Sequence, residues 1–167
     1  MLIYHPLKDP NHCTYRMLCI LYDMDTSISY DLLKLLDFYI LFPHLLKTIR
    51  LPKYLLSDKK ILNKVQEPYE NLPLPSKILF ELSSLQNSCI DSFLTKGIID
   101  KEEFENGKIR LNSKKLDLEL LNLITNNCYK KEAWYIFLLE KLSKIYFNGK
   151  DGLKDRTKMM EYIYDSV

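Results

Sequence analysis

Apolar side chains recur at helical spacing in the first third of the chain. Asp9 and Pro10 have the arrangement of an N-cap followed by proline at the first helical position, and the helical pattern continues to Asp23. After a polar break, a second segment that ends near Phe42 is apolar on most of its circumference. Its thin polar stripe consists of Asp31, Lys34 and Asp37. The pattern predicts two helices, of which the second is the central and most buried one.

Prolines interrupt the next part of the chain. Pro43 ends or kinks the second helix, and four more prolines follow in the stretch from residue 52 to 75. Because proline breaks a helix interior, this stretch can hold only short helices. We interpret residues 52–75 as a connector.

Helical spacing returns after the connector and then gives way to alternation. Ser76 and Ser88 can each cap a short helix, and Gly97 can close the second one. Asn106-Gly107 is typical of a two-residue hairpin turn, and the strand after it alternates apolar with basic residues. The order helix, turn, helix, hairpin predicts a winged helix-turn-helix-like unit with one small β-hairpin.

Three further helices are predicted at the C-terminal end. Apolar residues at helical spacing indicate one at 116–124, one at 134–145, and one carrying Met160, Ile163 and Tyr164 after a glycine break at 149–152. The whole pattern predicts a mainly α fold in a single domain, 1–167. Its predicted parts are N-terminal helices (1–51), the connector (52–75), the winged-helix-like unit (76–115) and C-terminal helices (116–167).

Net charge and the length of apolar stretches indicate the cellular environment in which the chain works. The formal net charge is +2, so no global field draws the chain toward phosphate backbones or anionic lipid. No secretory signal is recognisable at the start, and the longest apolar stretch, Phe38 to Phe42, is far below the roughly 20 residues of a membrane helix. We therefore expect a cytoplasmic protein without membrane contact, with its four cysteines reduced.

Two groups of residues resemble metal sites only in part. The run from Asp23 to Asp31 places oxygens at alternate positions, but Ile28 and Lys34 stand where a calcium loop needs glycine and glutamate. His5, His12, Cys13 and Cys19 have none of the paired spacings of zinc motifs. We expect no metal, and interpret these residues as loop, capping and packing positions.

The chain also lacks the motifs of catalysis. No nucleophile elbow, phosphate-binding loop or zinc-protease motif is present, and a chain with four glycines, none of them paired, cannot readily cradle a phosphate. The remaining histidine, His44, stands just behind a proline with no nucleophile indicated beside it. We expect no enzymatic activity, no catalytic residue, no cofactor and no small-molecule substrate.

Basic residues cluster on the predicted wing and just after it. They are Lys108, Arg110, Lys114 and Lys115. DNA-binding winged helices touch phosphates with such residues, but the second predicted helix contains no arginine and acidic residues follow it. This favours a protein-binding unit over base readout. A DNA-binding transcriptional regulator stays open as the alternative, and so does an ordinary solvated surface.

Several strings of residues together resemble a known family. They are Tyr15 to Leu21, Leu36 to Pro43, Phe80 to Leu82, Phe93 to Asp100 and Gly107 to Ile109. They are similar to the middle components of bacterial ABC three-component conflict systems, a group that includes Lamassu-type anti-phage defence. The resemblance implies a non-catalytic adaptor in a hetero-oligomer. It would link an SMC-like ABC ATPase to an effector, commonly a nuclease, with DNA contact inside the complex left open.

Overall fold

The computed structural model describes residues 6–69, 71–161, 163 and 165. Within them the chain forms eight α-helices and one two-stranded sheet, which confirms the predicted mainly α fold. The helices are α1 (Pro10–Met24), α2 (Tyr30–Leu41), α3 (Lys59–Leu62), α4 (Pro75–Thr95), α5 (Lys101–Glu105), α6 (Leu118–Thr125), α7 (Ala133–Glu140) and α8 (Leu153–Thr157). The strands are β1 (Ile28–Ser29) and β2 (Lys108–Ile109). Short 3-10 helices cover Pro6–Lys8, Pro43–Thr48, Lys53–Asp58, Ser113–Lys115, Cys128–Lys131 and Leu142–Lys144.

The first helix begins and ends where local chemistry dictates. The Asp9 carboxylate accepts hydrogen bonds from the backbone N–H groups of Asn11 and His12, and Pro10 occupies the first turn, as predicted. Asp25 adopts a left-handed conformation at the C-cap, with φ of 47°, and its N–H donates to Leu21 O. The polar residues between Asp25 and Ser29 therefore reverse the chain into the next helix.

Helix α2 is the buried centre of the fold. Eight of its twelve residues are buried, and it packs against α1, α4 and α7. Ser29 caps it by accepting a hydrogen bond from Leu32 N at 3.2 Å, and Pro43 begins a 3-10 helix directly after it. The predicted central position of this helix is confirmed.

One residue of the predicted polar stripe of α2 does not face solvent. Asp37 is fully buried and receives two hydrogen bonds from the equally buried Arg16 of α1, at 2.7 Å from Nε and 3.1 Å from Nη2. Gln86 of α4 donates its amide to the same carboxylate at 2.8 Å and to Lys34 O at 3.0 Å. The stripe prediction is wrong for Asp37 because a periodicity argument cannot see a buried cation on another helix.

His12 extends this buried network toward the surface. Arg16 Nη1 lies 2.9 Å from His12 Nδ1, and because a guanidinium only donates, Nδ1 must accept. The neutral ring then carries its proton on Nε2, which lies 3.4 Å from the Tyr129 hydroxyl. Burial lowers the pKa of His12, and the Arg16 charge lowers it further. Burial opposes the charge on Arg16, but Asp37 outweighs it, so the pKa of Arg16 is raised.

The predicted pair of short helices is a single helix, α4. Ser88 does not cap a new helix, since its hydroxyl donates to Ser84 O one turn earlier. Buried positions recur along the whole length at helical spacing, so nothing favours a turn in the middle. These positions are Ile78, Leu79, Leu82, Gln86, Cys89, Ile90 and Phe93. The helix-turn-helix prediction is therefore wrong.

The predicted hairpin is replaced by a helix and a non-local strand pair. Asp100 caps α5 by accepting from Glu103 N, and Gly107 ends that helix with φ of +75°. Strand β2 pairs antiparallel with β1, which precedes it by about eighty positions, in the register Ile28 opposite Ile109. Asn106-Gly107 serves as a helix C-terminus here because α5 supplies a preceding helical turn.

The C-terminal region agrees with the prediction in its first two helices. Helix α6 covers the first predicted helix, and α7 followed by the 3-10 helix Leu142–Lys144 covers the second. The last helix is α8, which ends before Met160, where Lys158 adopts a left-handed conformation with φ of 57°. The predicted helix at Met160 and Ile163 is thus wrong in position, and Tyr164 lies outside the described residues. No described helix combines the length and the apolar character that crossing a bilayer requires.

The buried ion pair predicts an asymmetric response to mutation. Replacing Asp37 with Ala leaves the Arg16 charge buried without its counter-ion, so we expect a loss of about 3–5 kcal/mol in the free energy of unfolding. The double variant Arg16→Met with Asp37→Leu removes both charges and should lose less than the single variant. Urea unfolding of wild type and both variants measures the difference. Equal losses in the single and double variants would contradict the electrostatic account.

His12 predicts a dependence of stability on pH. Its folded-state pKa lies below the ordinary 6.5, so the unfolded chain takes up a proton more readily. The contribution of neutral His12 is fully present above pH 6.5 and is lost as pH falls through the lowered pKa. Urea unfolding at about pH 7.5 and 5.5 should show a smaller acid-induced loss for His12→Gln than for wild type. His44→Gln is the comparison variant: burial lowers the pKa of His44 as well, so it should also reduce the acid-induced loss, without involving the contact with Arg16.

Candidate partner interface

The four basic residues predicted as a contact site lie on one exposed segment. Lys108 and Arg110 lie on and just after β2, and Lys114 and Lys115 belong to the following 3-10 helix. All four are exposed, while Ile109 between the first two is fully buried, so the predicted alternation is confirmed. None of the four forms an ion pair with a carboxylate of the described residues. We call this segment, residues 108–115, the basic strip.

Backbone hydrogen bonds fix the position of the basic strip. On top of the pairing with β1, an isolated bridge joins Leu111 to Ile99. Asn112 N donates to Ile98 O at 2.7 Å, and Asp100 N donates to Arg110 O at 3.4 Å. The strip is thus held by the loop between α1 and α2 and by the segment after α4.

Acidic side chains stand next to the first half of the strip. Lys108 and Arg110 line a shallow depression of about 640 Å³. Its acidic and amide residues are Asp100, Glu102, Glu103 and Asn106. Glu103 is held by a hydrogen bond from the Ser27 hydroxyl at 2.8 Å. The depression therefore carries both signs of charge.

Lys115 has a local structural partner. Gly97 ends α4 with φ of +68°, and the Lys115 Cε atom lies 3.9 Å from the position that a Cβ on Gly97 would take. A cation over the last turn of a helix interacts favourably with the helix dipole. Lys115 thus has a reason to be there that does not involve a partner, unlike Lys114.

Exposed leucines continue the surface beyond the strip. Leu118 at the start of α6 is 84% exposed and Leu123 is 55% exposed. The helix begins locally, because the Asp117 carboxylate accepts from Leu120 N at 2.7 Å. Of the eight residues of α6, only Ile124 is buried. The short helix therefore presents apolar side chains to solvent next to the basic strip.

A second surface lies outside the residues singled out from the sequence. An open groove of about 770 Å³ separates the segment after α3 from the start of α7. Its apolar lining includes Pro43, Ile61, Val65, Tyr129, Ala133 and Trp134. Sequence reasoning missed it because its two walls are about seventy positions apart. The run of lysines at 53, 59, 60 and 64 inside the presumed connector was the available signal.

Residues that were considered as metal ligands form other contacts in the structure. The Asp23 carboxylate accepts hydrogen bonds from Tyr135 and Asn127, at 2.8 and 3.0 Å, and pairs with Lys130 at 2.9 Å. In the 23–31 run, Ser29 caps α2 and the Ser27 hydroxyl donates to Glu103. Among the described residues no group of three His, Cys, Asp or Glu side chains is placed to hold a metal. His5 lies outside the described residues.

The cysteines divide into three buried thiols and one exposed thiol. Cys13, Cys19 and Cys89 are buried, and Cys128 is exposed beside the groove; all four are free. Burial raises the pKa of Cys19 to about 12, although a hydrogen bond with Tyr15 opposes this. Cys128 is therefore the accessible thiol of the chain.

The structure defines a mainly helical protein. Its exposed charged and apolar side chains form the surfaces on which another molecule could bind. The family model for the ABC-three component (ABC-3C) system Middle Component 5 matches residues 2–165. The chain belongs to this family and is a component of an ABC-three-component system, which implies partnership with other subunits. Neither a curated protein nor a solved structure matches the chain.

Proposed function

We propose that the chain is a non-catalytic adaptor that links an SMC-like ABC ATPase to an effector, a nuclease, in a cytoplasmic anti-phage defence complex of the Lamassu type. The family match over residues 2–165 is the observation that carries this proposal. The surface supports it, because Lys108, Arg110 and Lys114 form no ion pair with a described carboxylate and the adjoining α6 offers exposed leucines.

The combination of charge and exposed leucine suits a protein partner. Protein interfaces bury an apolar centre inside a polar rim, and charges around it steer association and fix register. Leu118 can supply such a centre and Lys108, Arg110 and Lys114 such a rim. An isolated charged strip would lack the apolar anchor.

Duplex DNA fits the strip less well. Carboxylates repel phosphates, and Lys108 and Arg110 share a depression with Asp100, Glu102 and Glu103. The continuous α4 also removes the separate recognition helix on which the regulator alternative rested. We therefore place the strip against protein in the assembled complex.

Charge reversal on the strip tests the proposal. The triple variant Lys108→Glu, Arg110→Glu, Lys114→Glu should lose most of its co-purification with the ATPase and effector encoded beside it, because repulsion replaces attraction at the contact. Its thermal melt should stay close to wild type, since exposed charges contribute little to stability. Lys115→Glu is made separately, because Lys115 also contacts the end of α4.

The matched control reverses three other exposed lysines without an ion pair among the described residues. They are Lys8, Lys77 and Lys150. This control changes the net charge by the same amount and should assemble normally. Assembly of the strip variant at wild-type yield would remove the strip from the interface.

Binding of free DNA is expected to be weak and independent of sequence. Few phosphates can be neutralised by this surface, so fluorescence anisotropy should give a shallow dependence of affinity on salt, with roughly four released counter-ions or fewer. Tight preference for one duplex over a scrambled one would instead support a transcriptional regulator.

A further inference from the structure

The groove beside Trp134 has the features of a docking site that the basic strip lacks. It is open along the surface and mostly apolar, with Trp134 and Ile61 among its lining residues. Trp134 is only half buried, and its ring stacks edge-on against Tyr135 at 6.0 Å. The Trp134 ring therefore packs against Tyr135 and remains partly exposed at the groove.

Exposed lysines that form no ion pair among the described residues lie in and next to the lining of this groove. Lys64 lines it, and two further exposed lysines directly precede lining residues in the chain: Lys60 precedes Ile61 and Lys131 precedes Glu132. None of the three lysines pairs with a carboxylate of the described residues.

Two described acidic residues near the groove, Asp58 and Glu67, already have ion-pair partners. Asp58 pairs with Lys141 at 2.6 Å, and Glu67 pairs with Lys47 at 2.5 Å. Of the groove's own residues only Glu132 can oppose Lys64. Lys64 and Glu132 balance each other in the lining, so Lys60 and Lys131 next to it add positive charge that no ion pair of the described residues neutralises.

We propose that this groove binds a short acidic segment, with one or two large apolar side chains, from another component of the same system. The apolar side chains would pack on Trp134 and Val65, and the carboxylates would pair with Lys60, Lys64 and Lys131. This inference rests on the proposed adaptor function and adds a second contact surface to it. A phosphate backbone would meet the Glu132 carboxylate in the lining, which disfavours a nucleic acid, and the open groove has no enclosed polar site for a small molecule.

Cys128 gives a direct report on occupancy. It lines the groove and is exposed, whereas the other three cysteines are buried. A maleimide therefore reacts selectively with Cys128 in the native chain. A segment seated in the groove should slow this reaction in the assembled complex relative to the free chain, by roughly tenfold or more.

Two variants challenge the groove without disturbing the core. Ala133→Glu places a carboxylate on the wall at the start of α7, where the helix dipole tolerates it, and Lys60→Glu with Lys64→Glu inverts the rim. Each should weaken retention of the partner by about tenfold or more in co-purification at matched salt. Ala133→Ser and the double variant Lys77→Glu with Lys150→Glu are the matched controls and should retain it.

The experiment uses the chain co-expressed with the other components of its system. Protection of Cys128 together with weaker retention of both groove variants supports the inference. Full assembly with Cys128 alkylated at the free-chain rate overturns it and leaves the adaptor function standing. Protection of Cys128 in the isolated chain, with a doubled mass, overturns it in favour of self-association, and protection by added DNA overturns it in favour of nucleic acid. If wild type retains no other component, both proposals fail.

Discussion

The ion pair between Arg16 and Asp37 is the constraint on which the rest of the fold depends. Both side chains are fully buried, so each charge has lost its hydration and must be compensated by the other. Two parallel N–H···O bonds fix the angle between α1 and α2, and Gln86 ties α4 to the same carboxylate. A helix that shifted along its axis would break these bonds, whereas purely apolar contacts between leucines would tolerate the shift. The pair therefore sets the register of the three central helices.

The outer elements are attached to this centre by polar contacts of the same kind. Asp23 at the end of α1 receives Tyr135, Asn127 and Lys130 from the C-terminal region. Burial strongly raises the pKa of Tyr135, and the Asp23 charge raises it further, so the phenol stays protonated and continues to donate. Arg50 and Asp155 hold α8 in a similar way at 2.8 Å. The fold is thus an apolar core crossed by a few specific polar ties.

Short sequence motifs predicted the helix ends that neighbouring residues determine. Asp9 followed by Pro10 specifies a helix start by its own hydrogen bonds, and Pro43 specifies an end by its missing N–H. Ser88 could either cap a helix or lie in a helix interior. Asn106-Gly107 could either form a hairpin turn or end a helix. The choice depends on partners distant in sequence, namely the core under α4 and β1 beside β2. The burial of Asp37 and the groove beside Trp134 likewise needed the tertiary structure, while the exposure of Lys108 and Arg110 followed from simple alternation.

The arrangement of the two candidate surfaces follows from the central helix. Strand β1, which holds the basic strip through β2, directly precedes α2, and Pro43, which lines the groove, stands two residues after its end. A helix of twelve residues is about 18 Å long, so the two attachment points are separated by roughly that distance along α2. Partners bound at the strip and at the groove would then not compete for the same atoms. Because the Arg16–Asp37 pair opposes a shift of α2 along its axis, the strip and the groove should keep a fixed separation, which would suit the proposed adaptor.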